Sequence, residues 1–536
     1  MSKVQKVVFL PASLAILATI IVSLGNAESF TAIINRANGL ITNNIAWLFN
    51  GTAVVMVLLC FYALFSKLGR VRIGGEGAEP LLPRFKWFAV SLTTVIAMGI
   101  VFWPVAEAVM HYTNPSDISE VTANTPAAAQ NTMAILYVHW TVTPYAIYSV
   151  LAMTFALSFY NLRMPFSIST IIRPLMGKYA DGLGGRLVDS LGTFSVVLGM
   201  SATLVSAIMA IAEGITAVGG PEGSYVMYAV IAFGIIVLAM LTAISGLQKG
   251  IQGLARINTW LFFVALAFFL VAGPTAYLIN LGVESFGLFV DQFFERNLIT
   301  GAAHNSPWAG YWTVAYFGSW FAWAPISCLF LGRIAKGYTI REFLMMNLLL
   351  PSFFGWLWFT VFGGTGIFME ASQPGVMSGV LASDPARGFG KLIYILFDQY
   401  PGPMLTKLMY IFICVLSFAT AANANLDAIG ALCTTGITPE KTVSPFWLKI
   451  FWGSCIATVA YMGMTYMGLD AIRALFNMSG LPGLIIAIGA CAAFVKVAMM
   501  VKTEMGKSIL TPAQMKPEAP AEGKPVGLDK PLAATE

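Results

Sequence analysis

Apolar residues dominate this chain in runs long enough to cross a bilayer, and charged residues gather in the gaps between them. The hydrocarbon core takes about 20 helical residues. By that measure the pattern predicts about twelve spans, near 5–25, 44–66, 86–110, 133–160, 187–211, 224–245, 256–282, 311–333, 343–366, 403–432, 447–468 and 479–501. Runs of this length are helices rather than barrel strands, because a helix satisfies its own backbone in lipid. The stretch GVESFGLFVDQFFERNLITG alternates apolar and acidic positions and is too short to cross, so it reads as an amphipathic helix at the interface. Beyond about Val501 the periodicity stops and Pro, Ala, Lys and Glu take over, which predicts a disordered tail. Its lysines are balanced by acids, so it is not a polybasic lipid anchor.

Helix-damaging residues interrupt several spans. Pro104 lies in the third and Pro144 in the fourth, and GGTG at Gly363 to Gly366 is expected to end the ninth. In lipid such breaks survive only where protein or a water-filled cavity satisfies the freed backbone, and secondary carriers place their sites there. An ordinary kink is the other reading.

Composition agrees with a polytopic membrane protein. Over 536 residues, 58% are hydrophobic and 10% charged, and the mean hydropathy is +0.77. A soluble chain carries about 25% charged residues. The first run, with Gly25-Asn26-Ala27 behind it, faintly resembles a signal peptide, but its length favours an uncleaved helix. Lys67, Arg70, Arg72, Arg84 and Lys86 fill one loop, and Arg163, Arg173, Lys178 and Arg186 the next on the same side. The opposite loops are poor in Lys and Arg or acidic, with Asp117, Glu120, Glu284, Asp291 and Glu295. The positive-inside rule then puts both termini in the cytoplasm, in a bacterial-type inner membrane. The net charge of +5 resides in loops and reports orientation, with no sign of a nucleic-acid partner.

Six scattered cysteines read as packing residues, and His111, His139 and His304 are too far apart in sequence to suggest a metal cluster. No catalytic triad order, phosphate loop or dinucleotide motif stands out, so an enzyme is not expected, nor a cofactor.

The candidate chemistry is aromatic. On a helix, Trp312, Tyr316, Trp320 and Trp323 fall in one narrow stripe, and Trp140, Tyr145 and Tyr148 share a face of the fourth span. Two such faces can wall a pocket for a cation that donates no hydrogen bonds, such as trimethylammonium or dimethylsulfonium. Each ring face contributes about 0.5–2 kcal/mol without a buried countercharge. Interfacial belting or core packing is the alternative.

At these residues the sequence resembles the betaine/choline/carnitine transporter family. The resemblance rests on Trp312, Thr313, Tyr316, Trp320, Trp323 and the exit from Arg333 to Glu342, and on His139, Trp140, Tyr145, Ala146 and Tyr148. It extends to Val105-Ala106-Glu107 and to SGLQKGI from Ser245 to Ile251. It implies an all-α secondary transporter of twelve helices. Two peripheral helices (1–85) precede inverted five-helix repeats (86–282 and 311–501), with an interfacial helix and outer loop (283–310) between them and a tail (502–536) after. It implies a trimer and a substrate cage of Trp140, Tyr145, Tyr148 and Trp320, with Trp323, Trp312 and Trp103 as lining or entry residues.

Departures bear on coupling. Phe317 and Ser319 stand where many members carry tryptophan, and Tyr145 replaces a cage tryptophan. The third span reads Thr94 to Gly99, with Ala97 where a glycine-rich stretch is usual. In the tenth span Thr420 is followed by Ala421, Ala422 and Asn423, losing one hydroxyl and an acid from the usual sodium site. The arginine of sodium-independent exchangers aligns with Asn258, and Arg256 lies on another face as a charge at the helix's cytoplasmic end. Glu107 is an intramembrane charge suited to carry a proton or to hold a hydrogen-bonded scaffold. The expectation is a carrier of glycine betaine, carnitine, choline or dimethylsulfoniopropionate, by exchange or proton coupling rather than sodium symport. An amino-acid carrier of the same architecture and a membrane osmosensor or receptor are the alternatives.

Overall fold

The computed structural model describes residues 4–95, 98–244, 248–435 and 444–502. Its long helices are α1 (Lys6–Gly25), α2 (Ala27–Phe65), α3 (Arg84–Val95), α4 (Met98–Thr113), α5 (Pro126–Trp140), α6 (Val142–Ala156), α7 (Leu183–Ala217) and α8 (Tyr225–Ile244). The second half continues with α9 (Gln248–Ala272), α10 (Thr275–Asp291), α11 (Thr313–Ile334), α12 (Leu350–Ser372), α13 (Gly388–Phe397), α14 (Pro403–Leu432), α15 (Phe446–Tyr466) and α16 (Leu469–Lys502). Among the described residues the only extended pairing is two isolated bridges, Val4 with Thr434 and Arg72 with Thr339.

Helices occupy all twelve expected windows. Among the described residues eight helical stretches are long and apolar enough to cross a membrane, and a ninth if the bent pair α9 and α10 is taken as one span. Large side chains on the outside of the bundle, among them Leu14, Ile33, Trp47, Val230 and Trp260, are exposed and apolar, which is costly in water and neutral in lipid. The chain is a multi-pass membrane protein.

Two expectations shift. The seventh span turns at Gly273-Pro274, where α9 and α10 meet at 109°, so the helix along the surface starts at Thr275 and the expected boundary at 283 lies inside it. Proline lacks the N–H that would continue the ladder. The glycines at 363–366 do not end the ninth span, because α12 runs on to Ser372. Their role is close approach: a Cβ on Gly363 would lie 3.2 Å from the Pro104 carbonyl, and one on Gly366 3.1 Å from Val105.

The core is built around α11, which packs most closely on α16 and α6. A Cβ on Gly480 of α16 would stand 2.5 Å from the Gly318 Cα, and one on Gly332 2.8 Å from the Ala152 carbonyl of α6. Backbone therefore meets backbone on two sides of α11, and its aromatic residues face the remaining directions.

The breaks are satisfied by neighbouring side chains. Pro104 leaves the Ile100 carbonyl without a helical donor, and the Trp358 indole donates to it at 2.8 Å. The fourth span breaks at Thr141, three residues ahead of Pro144, between α5 and α6. There the His139 carbonyl accepts from the Trp320 indole at 3.1 Å. On the Lys- and Arg-rich face, Arg84 pairs with Glu342 at 2.6 Å and Arg72 bonds the Gly337 carbonyl.

Candidate functional site

The break at Thr141 and a second at Trp312, which caps α11 with φ −118° and ψ −83°, bring the two aromatic faces together near the middle of the bundle. Trp320 is the common neighbour. Its ring is 5.8 Å from Trp140, 5.7 Å from Tyr145 and 5.3 Å from Tyr148, each near edge-to-face. Phe359 of α12 stacks on Trp140 at 5.1 Å. Towards the loops at 114–125, 299–312 and 373–387 the rings continue: Tyr316 lies 5.0 Å from Trp140 and 5.3 Å from Trp103, and Trp103 lies 6.3 Å from Trp312. All of the cage and lining residues are at most 5% exposed.

Six of the seven expected aromatic residues therefore share one cluster. Trp323 does not join it, because its indole turns to α7, donating to Thr203 Oγ1 at 3.2 Å beside Gly199. By helical angle Trp323 stays within the stripe, but it stands almost a turn further along α11 than Trp320, at the level where Thr203 and Gly199 of α7 lie against its ring.

Glu107 is the polar centre behind these rings. Its Oε2 accepts from the Trp140 indole at 2.8 Å and the Tyr316 hydroxyl at 2.7 Å, and its Oε1 accepts from His139 Nδ1 at 2.6 Å. With Nδ1 protonated, His139 Nε2 is free to accept from the Thr313 hydroxyl at 3.1 Å. His111, one turn beyond Glu107, holds Nε2 3.7 Å from Oε1 and lies 4.4 Å from the Trp312 ring. Sequence distance had argued against a histidine cluster, yet the fold brings Glu107, His111 and His139 within reach of one another, with ligand atoms all within 4.8 Å. The Glu107 oxygens are already engaged by the three donors, so the cluster's evident work is to orient Trp140 and Tyr316. A carboxylate behind two rings also makes their exposed faces more attractive to a cation.

The Tyr145 hydroxyl is buried and has no hydrogen-bond partner among the described residues, leaving a donor inside the cluster. The other coupling-ion candidates lie elsewhere. Asn258 of α9 donates to Ser417 Oγ of α14 at 3.1 Å, and Thr420, one turn along α14, has a buried hydroxyl without a partner among the described residues. Ala97 falls outside the described residues, as do Ser245 to Leu247 of the SGLQKGI match.

Sequence reasoning passed over Phe359, which carries no local signal, and Arg473, which sits outside the expected spans. Arg473 of α16 covers the Trp312 ring at 4.6 Å and borders a cavity of about 500 Å³ on the loop side of the cluster. His111 was legible in principle, because it stands at i+4 from Glu107.

Comparison with known proteins bears on what such an arrangement serves. A solved chain of a Na⁺-coupled sialic acid symporter, in a substrate-bound outward-open state, aligns with a TM-score of 0.47 and 14% identity over 84% of this chain and 86% of that one. The chain is 27% identical over 458 residues to a glycine betaine transporter of Bacillus subtilis, covering 85% of this chain and 87% of that protein. It is 27% identical over 501 residues to a betaine/ectoine transporter of Corynebacterium glutamicum, covering 92% and 77%. An uncharacterized transporter of Mycobacterium tuberculosis is 29% identical over 496 residues, covering 92% and 82%. The model of the betaine/carnitine/choline family transporters matches residues 7–503. With that match running through every described helix, the chain belongs to the betaine/carnitine/choline transporter family, and it is a transporter rather than an enzyme.

Proposed function

We propose that this protein carries betaine-type onium compounds across the bacterial inner membrane by alternating access, with the onium group held by Trp140, Tyr145, Tyr148 and Trp320. The observation that carries the reading is the convergence of Trp140, Tyr145 and Tyr148 on Trp320. Glycine betaine, carnitine, choline and dimethylsulfoniopropionate are the substrates it fits. Each has a methylated cation that ring faces hold without a hydrogen bond, at about 0.5–2 kcal/mol per ring. Trp103 and Trp312 line the entry from the loop side, and Trp323 supports the cluster from behind.

In the closed arrangement the rings rest on one another, so admitting a substrate requires α11 to move relative to α5 and α6. The breaks at Thr141 and Trp312 are the places where such a motion costs little helical hydrogen bonding. Coupling is by exchange or by a proton rather than by sodium, because Thr420 and its neighbours offer few side-chain oxygens for a hard cation. Both termini are cytoplasmic and the assembly is a trimer, with two inverted repeats forming the moving parts.

The test is uptake of the four labelled compounds into proteoliposomes, with and without a sodium gradient and with unlabelled substrate preloaded. Trp320→Ala and Trp140→Ala should each weaken substrate affinity about tenfold or more, on the scale of one or two lost ring faces, while the protein stays monodisperse. Unchanged affinity in both variants would return the rings to core packing, and sodium-stimulated accumulation would overturn the coupling.

A further inference from the structure

The cage accounts for the cationic end of such a substrate and leaves the other end without a partner. Arg473 offers one. It is the fifth residue of α16, its side chain is 13% exposed, and its Nε is buried with no hydrogen-bond partner among the described residues. Asp470 is the nearest acid, but the closest approach of 3.6 Å is beyond a hydrogen bond, and Asp470 is 69% exposed. A guanidinium keeps its charge at any working pH and presents planar donors that match a carboxylate. Burying it with so few of its donors used is costly unless something else takes them.

Its plane is held ready. The guanidinium lies 4.6 Å from the Trp312 ring and 5.8 Å from Tyr311, so two ring faces support it while its edge remains on the cavity. That cavity, of about 500 Å³, is lined by Arg473, Asp470, Met110, Thr113 and Phe389 among others, and is of the size that takes a small organic ligand. Phe389, one wall of the cavity, packs edge-to-face on Trp103 at 5.9 Å, so the cavity adjoins the ring cluster. A positive and a negative side chain on one small cavity, poorly paired with each other, match the charge separation of a zwitterion.

We propose that this cavity is an entry subsite for onium carboxylates, in which Arg473 takes the carboxylate and Asp470 faces the cation before the onium group passes Trp103 and Trp312 into the cage. The subsite rests on the onium reading of the cage and narrows it: compounds with a carboxylate, such as glycine betaine, are favoured over those without one, such as choline or tetramethylammonium.

The experiment measures the concentration dependence of glycine betaine uptake into proteoliposomes, and inhibition of that uptake by tetramethylammonium, for the full chain and for Arg473→Gln and Arg473→Lys. Arg473→Gln should raise the half-saturating glycine betaine concentration about tenfold or more, the scale of a lost charged hydrogen bond. Arg473→Lys should recover part of it, and inhibition by tetramethylammonium should stay within about twofold of the unsubstituted protein. Glycine betaine affinity unchanged in Arg473→Gln would overturn the subsite while leaving the cage reading intact. So would equal loss for both ligands, which would mark Arg473 as a support for Trp312. An unsubstituted protein that transports no onium compound would overturn the cage reading and the subsite with it.

Discussion

At the scale of single residues, Glu107 shows how a charge is retained in an apolar bundle. Three donors from two neighbouring helices converge on one carboxylate, so His139, Trp140 and Tyr316 each find an acceptor in it. Glu107→Ala removes the shared acceptor and leaves His139, Trp140 and Tyr316 with unmet donors in a dry environment. We expect a loss of about 3–5 kcal/mol, the range for removing one partner of a buried charged network. It should appear as an early loss of the monodisperse peak after heating in detergent, whereas a profile equal to that of the unsubstituted protein would deny the carboxylate this role. Glu107 and its position beside His111 were visible in the sequence as an intramembrane charge and an i+4 neighbour. That Trp140 and Tyr316 both turn to it was not, because those contacts join residues 33 and 209 positions away.

Among the elements, α11 owes its place to small residues on its neighbours. A Cβ on Gly480 would meet the Gly318 Cα at 2.5 Å, and one on Gly483 would meet the Phe321 carbonyl at 2.0 Å, so α16 cannot approach this way with any larger side chain. This close crossing is what brings Arg473 over Trp312. Gly480→Leu should therefore abolish correctly assembled protein, since overpacking costs of about 1–3 kcal/mol apply even to mild insertions and this one has no room to relax. Gly39→Leu on α2, where a Cβ would meet nothing within 4 Å, should be tolerated. Fluorescence-detected size exclusion of both variants decides the point, and a normal Gly480→Leu profile would refute the crossing. The sequence marked helix-breaking residues here without showing what each break does. GGTG reads as a terminator, yet Gly363 and Gly366 serve packing against α4 and Gly364 against α10; the turn at Gly273-Pro274 does carry both breakers, while the discontinuities at Thr141 and Trp312 carry neither.

For the whole molecule, orientation follows from charge. The Lys- and Arg-rich loops gather on one face, and the cavity bordered by Arg473 opens on the other. If the positive-inside rule governs this chain, a cysteine introduced at the exposed Lys67 position should react with an impermeant maleimide only after the membrane is opened. One at the exposed Glu120 position should react in intact cells. The native cysteines are buried or half-buried and would be replaced first. Labelling at the Lys67 position but not at the Glu120 position in intact cells would reverse the orientation and put the Arg473 cavity on the cytoplasmic side.

The chain by itself determined its class, its helical windows and the identity of most of the aromatic cluster, because hydropathy and helical period are local properties that each segment carries alone. The tertiary structure decided the rest. It set which rings share a neighbour, turned Trp323 to α7, placed a carboxylate behind Trp140 and Tyr316, and laid Arg473 over Trp312. Those outcomes depend on how closely helices far apart in sequence can approach, which is settled by the small residues and broken carbonyls where they meet.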